Sequence, residues 1–455
     1  MTVSPSSASP SASLSIRLSW ALFDWATQPF FTLVTTFVFA PYFATRVAAT
    51  PALGQELWGY ATAAAGLVIA LLAPLLGSVA DATGHRKPWI LAFSVPLVVG
   101  CCLLWGAVPG GPHSVALALG GFALATLAVE FATVFNNAMM GDLVPRGQVG
   151  RLSGLGWAIG YAGGLVSLVL ALGFLVASPE TGRTLLGLTP LFGLDPQTGA
   201  GDRVSGPLSA LWYAVFVLPL FLVVPDAPKR ARLSHALRAG AASLRDAVRG
   251  LKDAGPLTTF LLANMAYKDG LVALFAFGGI YAAGQLGWET VEIGIFGILL
   301  TVTGTAGALA GGVLDDRIGP RRVLLGALAL LFVCGLGLIS LDRTTVLFVV
   351  PVVPGGEGLF SGVADQVFLG LGAVIGAAAG PLQAASRSLL VALAPADRLT
   401  QSFGLMALSG KVTSFLSPLA VGLLTAATGS QRAGMSVILL FFVLGALLLR
   451  RLDAR

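Results

Sequence analysis

The chain predicts an all-α polytopic membrane protein of twelve transmembrane helices in two six-helix halves. Three observations predict it. Apolar residues make up 56% of the 455 residues and charged residues only 11%, where a soluble domain carries about 25% charged residues. Apolar runs of roughly 20 residues, long enough to cross a bilayer, recur twelve times. A short polar motif also recurs once in each half of the chain.

The first 16 residues, MTVSPSSASPSASLSI, read as a disordered Ser/Pro/Ala tail without the basic stretch of a signal peptide. The first half (17–225) is expected to hold spans at about 18–45, 57–80, 88–108, 114–140, 153–177 and 207–225. A linker over 226–256 follows. The second half (257–450) is expected to hold spans at about 257–283, 291–314, 321–341, 363–391, 401–426 and 432–450, before a short tail, 451–455. TTVLFVVPVVPGG (344–356) is apolar as well, but its prolines make it an external surface or re-entrant segment rather than a thirteenth span.

Lysine and arginine placement orients the chain. With both termini in the cytoplasm, inside positions hold 20 of the 27 basic residues, outside loops hold five, and Lys268 and Lys411 lie within spans. The net charge of +6 therefore needs no nucleic-acid partner. Cys101, Cys102 and Cys334 all fall in apolar runs, so no disulfide framework is implied. His85, His113 and His235 fall in or beside loops, and no metal-ligand spacing occurs, so neither metal nor cofactor is expected. One nucleotide-like string, GLMALSGKVT (404–413), has five residues between its glycines rather than four and Val412 where Ser or Thr should hold a metal. An enzyme is not expected.

GSVADATGHRK (77–87) and GVLDDRIGPRR (312–322) share one register. Gly77, Asp81, Gly84, Arg86 and Lys87 correspond to Gly312, Asp316, Gly319, Arg321 and Arg322, each 235 residues further on. Each copy joins the second and third helix of its half. Asp81 falls at a helix C-terminus, where the dipole disfavours an anion. It needs a partner, and Arg86 beyond the Gly84 turn is within reach. Two six-helix halves related by a parallel repeat are the architecture of the major facilitator superfamily, whose loop motif this pair resembles, and these ten residues are expected to form a gating motif.

In the linker, Leu233, Leu237, Leu244, Val248 and Leu251 mark one helical face and Arg238, Arg245, Arg249 and Lys252 lie largely off it. This predicts an amphipathic helix on an anionic cytoplasmic leaflet. Small-residue stripes, Gly156/Gly160/Gly164 and Gly304/Ala308/Gly312, suit close helix packing.

Polar residues within spans are the functional candidates, because each charge there costs roughly 2.5–3.5 kcal/mol to insert. The first span carries Asp24 and Gln28 one turn apart, with Pro29 freeing a carbonyl near them. The fourth carries Thr126, Glu130, Thr133 and Asn137 at helical spacing. AYKDG (266–270) puts Lys268 and Asp269 side by side in the seventh span, one turn after Asn264. Gln383 and Arg387 share a face of the tenth span, and Lys411 and Ser414 lie in the eleventh. Lys268 and Asp269 diverge by about 100° around the helix, so each is expected to find its partner on another helix: Asp24 or Glu130 for Lys268, Lys411 for Asp269. Asp24, Glu130 and Asp269 are candidates to load and release a coupling proton. Gln28, Asn137, Lys268, Gln383 and Lys411 are candidates to contact a solute.

SWALFDWATQPFFT, NNAMMGDLVP, SGLGWAIGYAGG, GPLQAASRSL and FGLMALSGKVTSFLSP resemble the vacuole-effluxer-like branch of the major facilitator superfamily. Its fungal members are linked to autophagy and export amino acids from the vacuole. The chain departs from that pattern in having Lys268 where the family has Asn, and Gly141 where it has Pro. The resemblance implies a secondary transporter for a small polar or zwitterionic solute, working by alternating access, with proton coupling and efflux. It is expected as a monomer in a bacterial inner membrane. A non-transporting membrane sensor built on the same fold is the rival expectation, and it would show no solute flux.

Overall fold

The computed structural model describes residues 12–250, 255–356 and 358–452. Among the described residues twelve helical segments are long and apolar enough to cross a membrane. The chain is an all-α polytopic membrane protein, and the spans fall close to the expected runs with four instructive differences.

The first is the opening span. α1 (Leu14–Pro29) starts within the expected tail, because the Ser13 hydroxyl accepts from the Ile16 amide at 3.4 Å and caps the helix. Residues 1–11 lie outside the described residues. Pro29 has no N–H, so the Trp25 carbonyl loses its helical donor. The Trp212 indole takes that carbonyl at 3.1 Å, and the chain continues as a wider π-turn segment, Phe30–Phe37, instead of the single α-helix expected over 18–45.

α2 (Pro51–Thr83) opens on a Thr50 cap and closes on Gly84 at φ +88°; α3 (Lys87–Leu103) and α4 (Ser114–Ala138) follow. α5 (Val149–Leu170) carries the fifth span. The sixth span begins at Ala200 rather than near 207, in pieces of which α6 (Ser205–Phe216) is the longest.

The linker forms α7 (Leu233–Gly250) as expected, and it also seats on α2. Ala236 is fully buried, and a Cβ on Gly240 would stand 2.9 Å from the Val79 amide, so these small residues seat the helix on α2. Leu237, on the apolar face expected to lie on the leaflet, is 54% exposed. Leu251 and Lys252 lie outside the described residues.

The second half consists of α8 (Pro256–Leu286), α9 (Thr290–Ile318), α10 (Pro320–Ile339), α11 (Val363–Leu393), α12 (Leu399–Val412), α13 (Leu416–Thr428) and α14 (Gln431–Arg450). The eleventh span is not the continuous helix expected over 401–426. It breaks between Val412 and Leu416, where Pro418 withholds the amide that would bond the Ser414 carbonyl.

The 344–356 segment lies outside the spans, as an antiparallel hairpin of β1 (Thr345–Val346) and β2 (Val350–Pro351) with Leu347 and Val349 exposed. Asp342 anchors its base. Burial pushes this carboxyl upward, but the amides and hydroxyls of Thr344 and Thr345 outweigh it and hold it well below the usual carboxylate range. Arg432 closes the anchor with a 2.6 Å ion pair.

The chain divides into two compact units: Met1–Pro145 with Ile159–Ala242 and Asp397–Gly404, and Arg146–Ala158 with Ser243–Ala396 and Leu405–Arg455. α5 and α12 are each divided between the units. In the first unit α3 packs along α4, with Phe93 and Trp89 stacked on Phe135. In the second, α9 packs along α11 and α8 along α14.

Candidate functional site

The two copies of the repeated motif make matching contacts. Asp81, at the end of α2, accepts the Thr400 and Gln401 amides at 3.1 and 2.8 Å, and so caps the first turn of α12. Asp316, at the end of α9, accepts the Gly150 and Arg151 amides at 3.0 and 3.3 Å, and so caps the first turn of α5. A helix N-terminus offers unpaired amides and a positive dipole end, so it is the natural partner of an anion that its own helix disfavours. Gly77 and Gly312 explain the glycine at the head of each copy. A Cβ there would stand 2.4 Å from the Thr400 carbonyl and 2.7 Å from the Gly150 carbonyl, respectively. Gly84 and Gly319 turn the chain at φ +88° and +87°, a region other residues rarely enter.

The arginines of the motif differ from expectation. Arg86 stands 3.9 Å from Asp81, and its closer partner is Asp142. It also donates to the Thr400 hydroxyl at 3.2 Å. In the second copy Arg321 turns away to the Leu449 and Arg450 carbonyls, and Arg151 from α5 pairs with Asp316 at 3.2 Å. Lys87 donates to the Phe221 carbonyl at 3.0 Å, and Arg322 is exposed. Asp226 accepts the Arg86 and Lys87 amides and thereby caps α3. It is an anchor between the linker and the first loop that the repeat did not announce.

In the first unit, Asp24 and Gln28 face the glycine stripe of α5. A Cβ on Gly160 would lie 3.3 Å from Asp24 Cβ, and one on Gly164 would lie 2.9 Å from Gln28 Cγ. The stripe therefore seats the polar face of α1. On α4, Glu130 is half-buried and Thr133 donates to its own helix at 2.7 Å. Asn137 is buried, and neither its Oδ1 nor the Thr126 hydroxyl has a hydrogen-bond partner. Neighbouring Asn136 is fully buried with both side-chain polar atoms unpartnered. Sequence reasoning passed over it, although a second amide beside Asn137 in an apolar helix was its visible signal.

In the second unit, α8, α11 and α12 bring the other candidates together. Asn264 donates to the Ser409 hydroxyl at 3.1 Å. The Lys268 amine lies over Gly410, 2.7 Å from where a Cβ would be. Asp269 is 1% exposed. The Thr413 hydroxyl faces its carboxyl, but neither that hydroxyl nor Asp269 Oδ1 makes a hydrogen bond of ordinary geometry. Thr413 and the charge of neighbouring Lys268 thus act on Asp269, which had been expected to find Lys411. Lys411, beside Gly410, ends α12 at the break in the eleventh span. Tyr267 and Ser386 share a 2.7 Å hydrogen bond between α8 and α11. Gln383 is half-buried on α11, and Arg387 lies 4.8 Å over the Trp157 ring. A lysine and an aspartate beside a broken helix are components with which membrane proteins hold small charged ligands.

The chain also carries a buried acid that sequence reasoning missed. Asp315 is 4% exposed and accepts from the Ser388 hydroxyl. Its signal was a column where the copies disagree chemically: Ala80 in the first, Asp315 in the second.

The family model described as "Vacuole effluxer Atg22 like" matches residues 57–455. The uncharacterized MFS-type transporter YxiO of Bacillus subtilis (strain 168) is 23% identical over 436 residues, covering 95% of this chain and 93% of that protein. Autophagy-related protein 22-2 of Aspergillus clavatus is 25% identical over 305 residues, 62% of this chain; the chain spans 44% of that relative's length. Among solved structures, the major facilitator transporter FucP in its outward conformation superposes with a TM-score of 0.69 at 16% identity, covering 97% of this chain and 99% of that one. These relatives are transporters rather than enzymes, and the fold is theirs. The chain belongs to the vacuole-effluxer Atg22-like family of the major facilitator superfamily.

Proposed function

We propose that the protein is a secondary active transporter that carries a small zwitterionic solute, of amino-acid type, outward across a bacterial inner membrane with both termini cytoplasmic. The observation that carries this reading is Lys268. It is a cation in the seventh span, its amine lies over Gly410, and it stands beside the break in the eleventh span. A charge in that position is costly unless it has a task. A solute carboxylate would be received by Lys268 and Lys411. In the second unit Asp269 and the Gln383 amide would serve the ammonium and polar groups; Gln28 and Asn137 are the solute candidates of the first unit. Asp24, Glu130 and Asp269 would load the coupling proton. Alternating access would proceed by making and breaking the Asp81 cap on α12 and the Asp316 cap on α5.

Purified protein in proteoliposomes with an imposed proton gradient tests the reading. Uptake or efflux of labelled amino acids, dependent on the gradient, is expected, and complete absence of flux for amino acids, peptides and sugars would favour the sensor instead. Gly410→Val should displace the Lys268 amine and weaken binding of zwitterions at least tenfold, about 1.4 kcal/mol, with the protein still inserted. A thermal-shift titration of wild type and variant reads this directly, and equal affinities would remove Lys268 from the solute site.

A further inference from the structure

The second unit holds a carboxylate that none of the roles above uses. Asp315 lies at the end of α9, is 4% exposed, and stands next to Asp316, which caps α5. From α11, Ser388 brings its hydroxyl to Asp315 Oδ2, and the same oxygen lies 3.1 Å from the Ala385 carbonyl. A serine hydroxyl has one proton, so it cannot donate to both acceptors at once. With Asp315 ionised, the hydroxyl serves the carboxylate, and the Ala385 carbonyl, inside α11, keeps only its helical amide. With Asp315 protonated, the acid O–H donates to Ser388 Oγ and the Ser388 O–H donates to Ala385, so the chain of three groups is complete. The site is a carboxylate 4% exposed, bonded to a neutral hydroxyl that can turn to receive one proton more.

The charges around Asp315 point the same way. Asp316, on its own helix, repels it. Arg151 on α5 is engaged by Asp316 at 3.2 Å. Arg387 on α11 lies over the Trp157 ring. Gly150, the α5 residue in closest approach, contributes no side chain. Arg317, further along α9, is exposed.

The first unit lacks this device. Asp81 caps Thr400 and Gln401 as Asp316 caps Gly150 and Arg151, so the capped turns correspond at 400 − 150 = 250 residues. At the same offset Ser388 corresponds to Ala138, and by the 235-residue motif offset Asp315 corresponds to Ala80; both alanines are fully buried. Two apolar positions of one copy are thus replaced together by an acid and a hydroxyl that bond to each other.

We propose that Asp315 and Ser388 form a proton-binding site that sets the strength of the neighbouring Asp316–α5 cap. The proton binds Asp315 Oδ2 and is shared with Ser388 Oγ, while the serine proton turns to the Ala385 carbonyl. Binding removes a negative charge beside Asp316 and leaves its carboxylate to the α5 amides and Arg151. Release restores the repulsion and loosens the cap. The inference extends the transporter reading, but its test uses no solute.

The test is pH-difference infrared spectroscopy of the full chain in lipid, with spin-label distances between Arg146→Cys and Arg317→Cys in a background lacking the native cysteines. Wild type should show a carboxylic C=O band that disappears on raising the pH, together with a pH-dependent label distance. Asp315→Asn should lose the band and hold the acid-side distance at every pH. Ser388→Ala should keep the band but move it to higher frequency, and Ser388→Thr should restore its position. Should Asp315→Asn fail to fold, the two serine variants still decide. A band unmoved in Ser388→Ala, or a band and a pH-dependent distance that persist in Asp315→Asn but vanish in Asp269→Asn, would overturn the proposal. Absence of transport with these signals intact would fail the transporter reading alone.

Discussion

Asp81→Asn is expected to cut solute flux at least tenfold while leaving the amount of inserted protein close to wild type, and Asp316→Asn is expected to act in the same direction. Each carboxylate accepts two backbone amides at the start of another helix. Asparagine keeps one acceptor oxygen and turns an NH₂ toward the second amide, so one bond is lost and a donor faces a donor. Hydrogen bonds to charged groups are worth about 1.5–3 kcal/mol, and each 1.4 kcal/mol moves an equilibrium about tenfold. The loss falls on whichever state contains the cap. It biases the cycle more than it destabilises a chain held in the membrane by twelve spans. Flux into proteoliposomes, normalised to inserted protein, measures the effect, and unchanged flux in both variants would remove the gating role. The matching glycines supply a steric version: Gly77→Leu should act like Asp81→Asn, because no side chain fits against the Thr400 carbonyl.

Lys268→Met should abolish binding of solutes that carry a carboxylate, with the protein still inserted. Methionine keeps the length and apolar stem of the side chain over Gly410 and removes only the charge. If the lysine serves packing, removing an acid as well should repair the damage, because breaking a buried pair from one side costs about 3–5 kcal/mol and removing both partners is often neutral. If it serves the solute, adding Asp24→Asn or Glu130→Gln restores abundance at most, and transport stays lost. Full transport in either double variant would assign Lys268 to packing. The resemblance drawn from the sequence implies asparagine at this position, so Lys268→Asn should change which solutes bind rather than abolish all binding.

Much of the architecture was readable without coordinates. Twelve runs of apolar residues give twelve spans because a backbone in hydrocarbon must satisfy its own hydrogen bonds, and only a helix of sufficient length does so locally. The repeat was readable for a similar reason. A glycine needed for close approach, an aspartate and a second glycine at positive φ are local requirements, and they leave the same letters in both halves. Pro29 and Pro418 were visible too, but their consequences were not. One carbonyl released by Pro29 went to Trp212, 187 residues away, and Pro418 ended a helix that hydropathy alone reads as continuous.

What the sequence by itself determined is the membrane class, the number of spans, the duplicated motif and the set of costly polar residues inside the spans, because each follows from local composition or from spacing along one helix. Only the tertiary structure decided who meets whom. Asp81 keeps Arg86 at 3.9 Å and adds the amides of Thr400 and Gln401, since a helix end supplies donors in fixed array. Arg321 left its motif for carbonyls at the end of α14. Asp269 met Thr413, and Ala236 and Gly240 seated the linker helix on α2. Asp315, one letter in a chemically mismatched column of the repeat, became a buried acid with Ser388, 73 residues on, lying against it. Contacts between distant segments depend on how helices are rotated about their axes, and a rotation of one residue, about 100°, exchanges one partner for another without changing hydropathy.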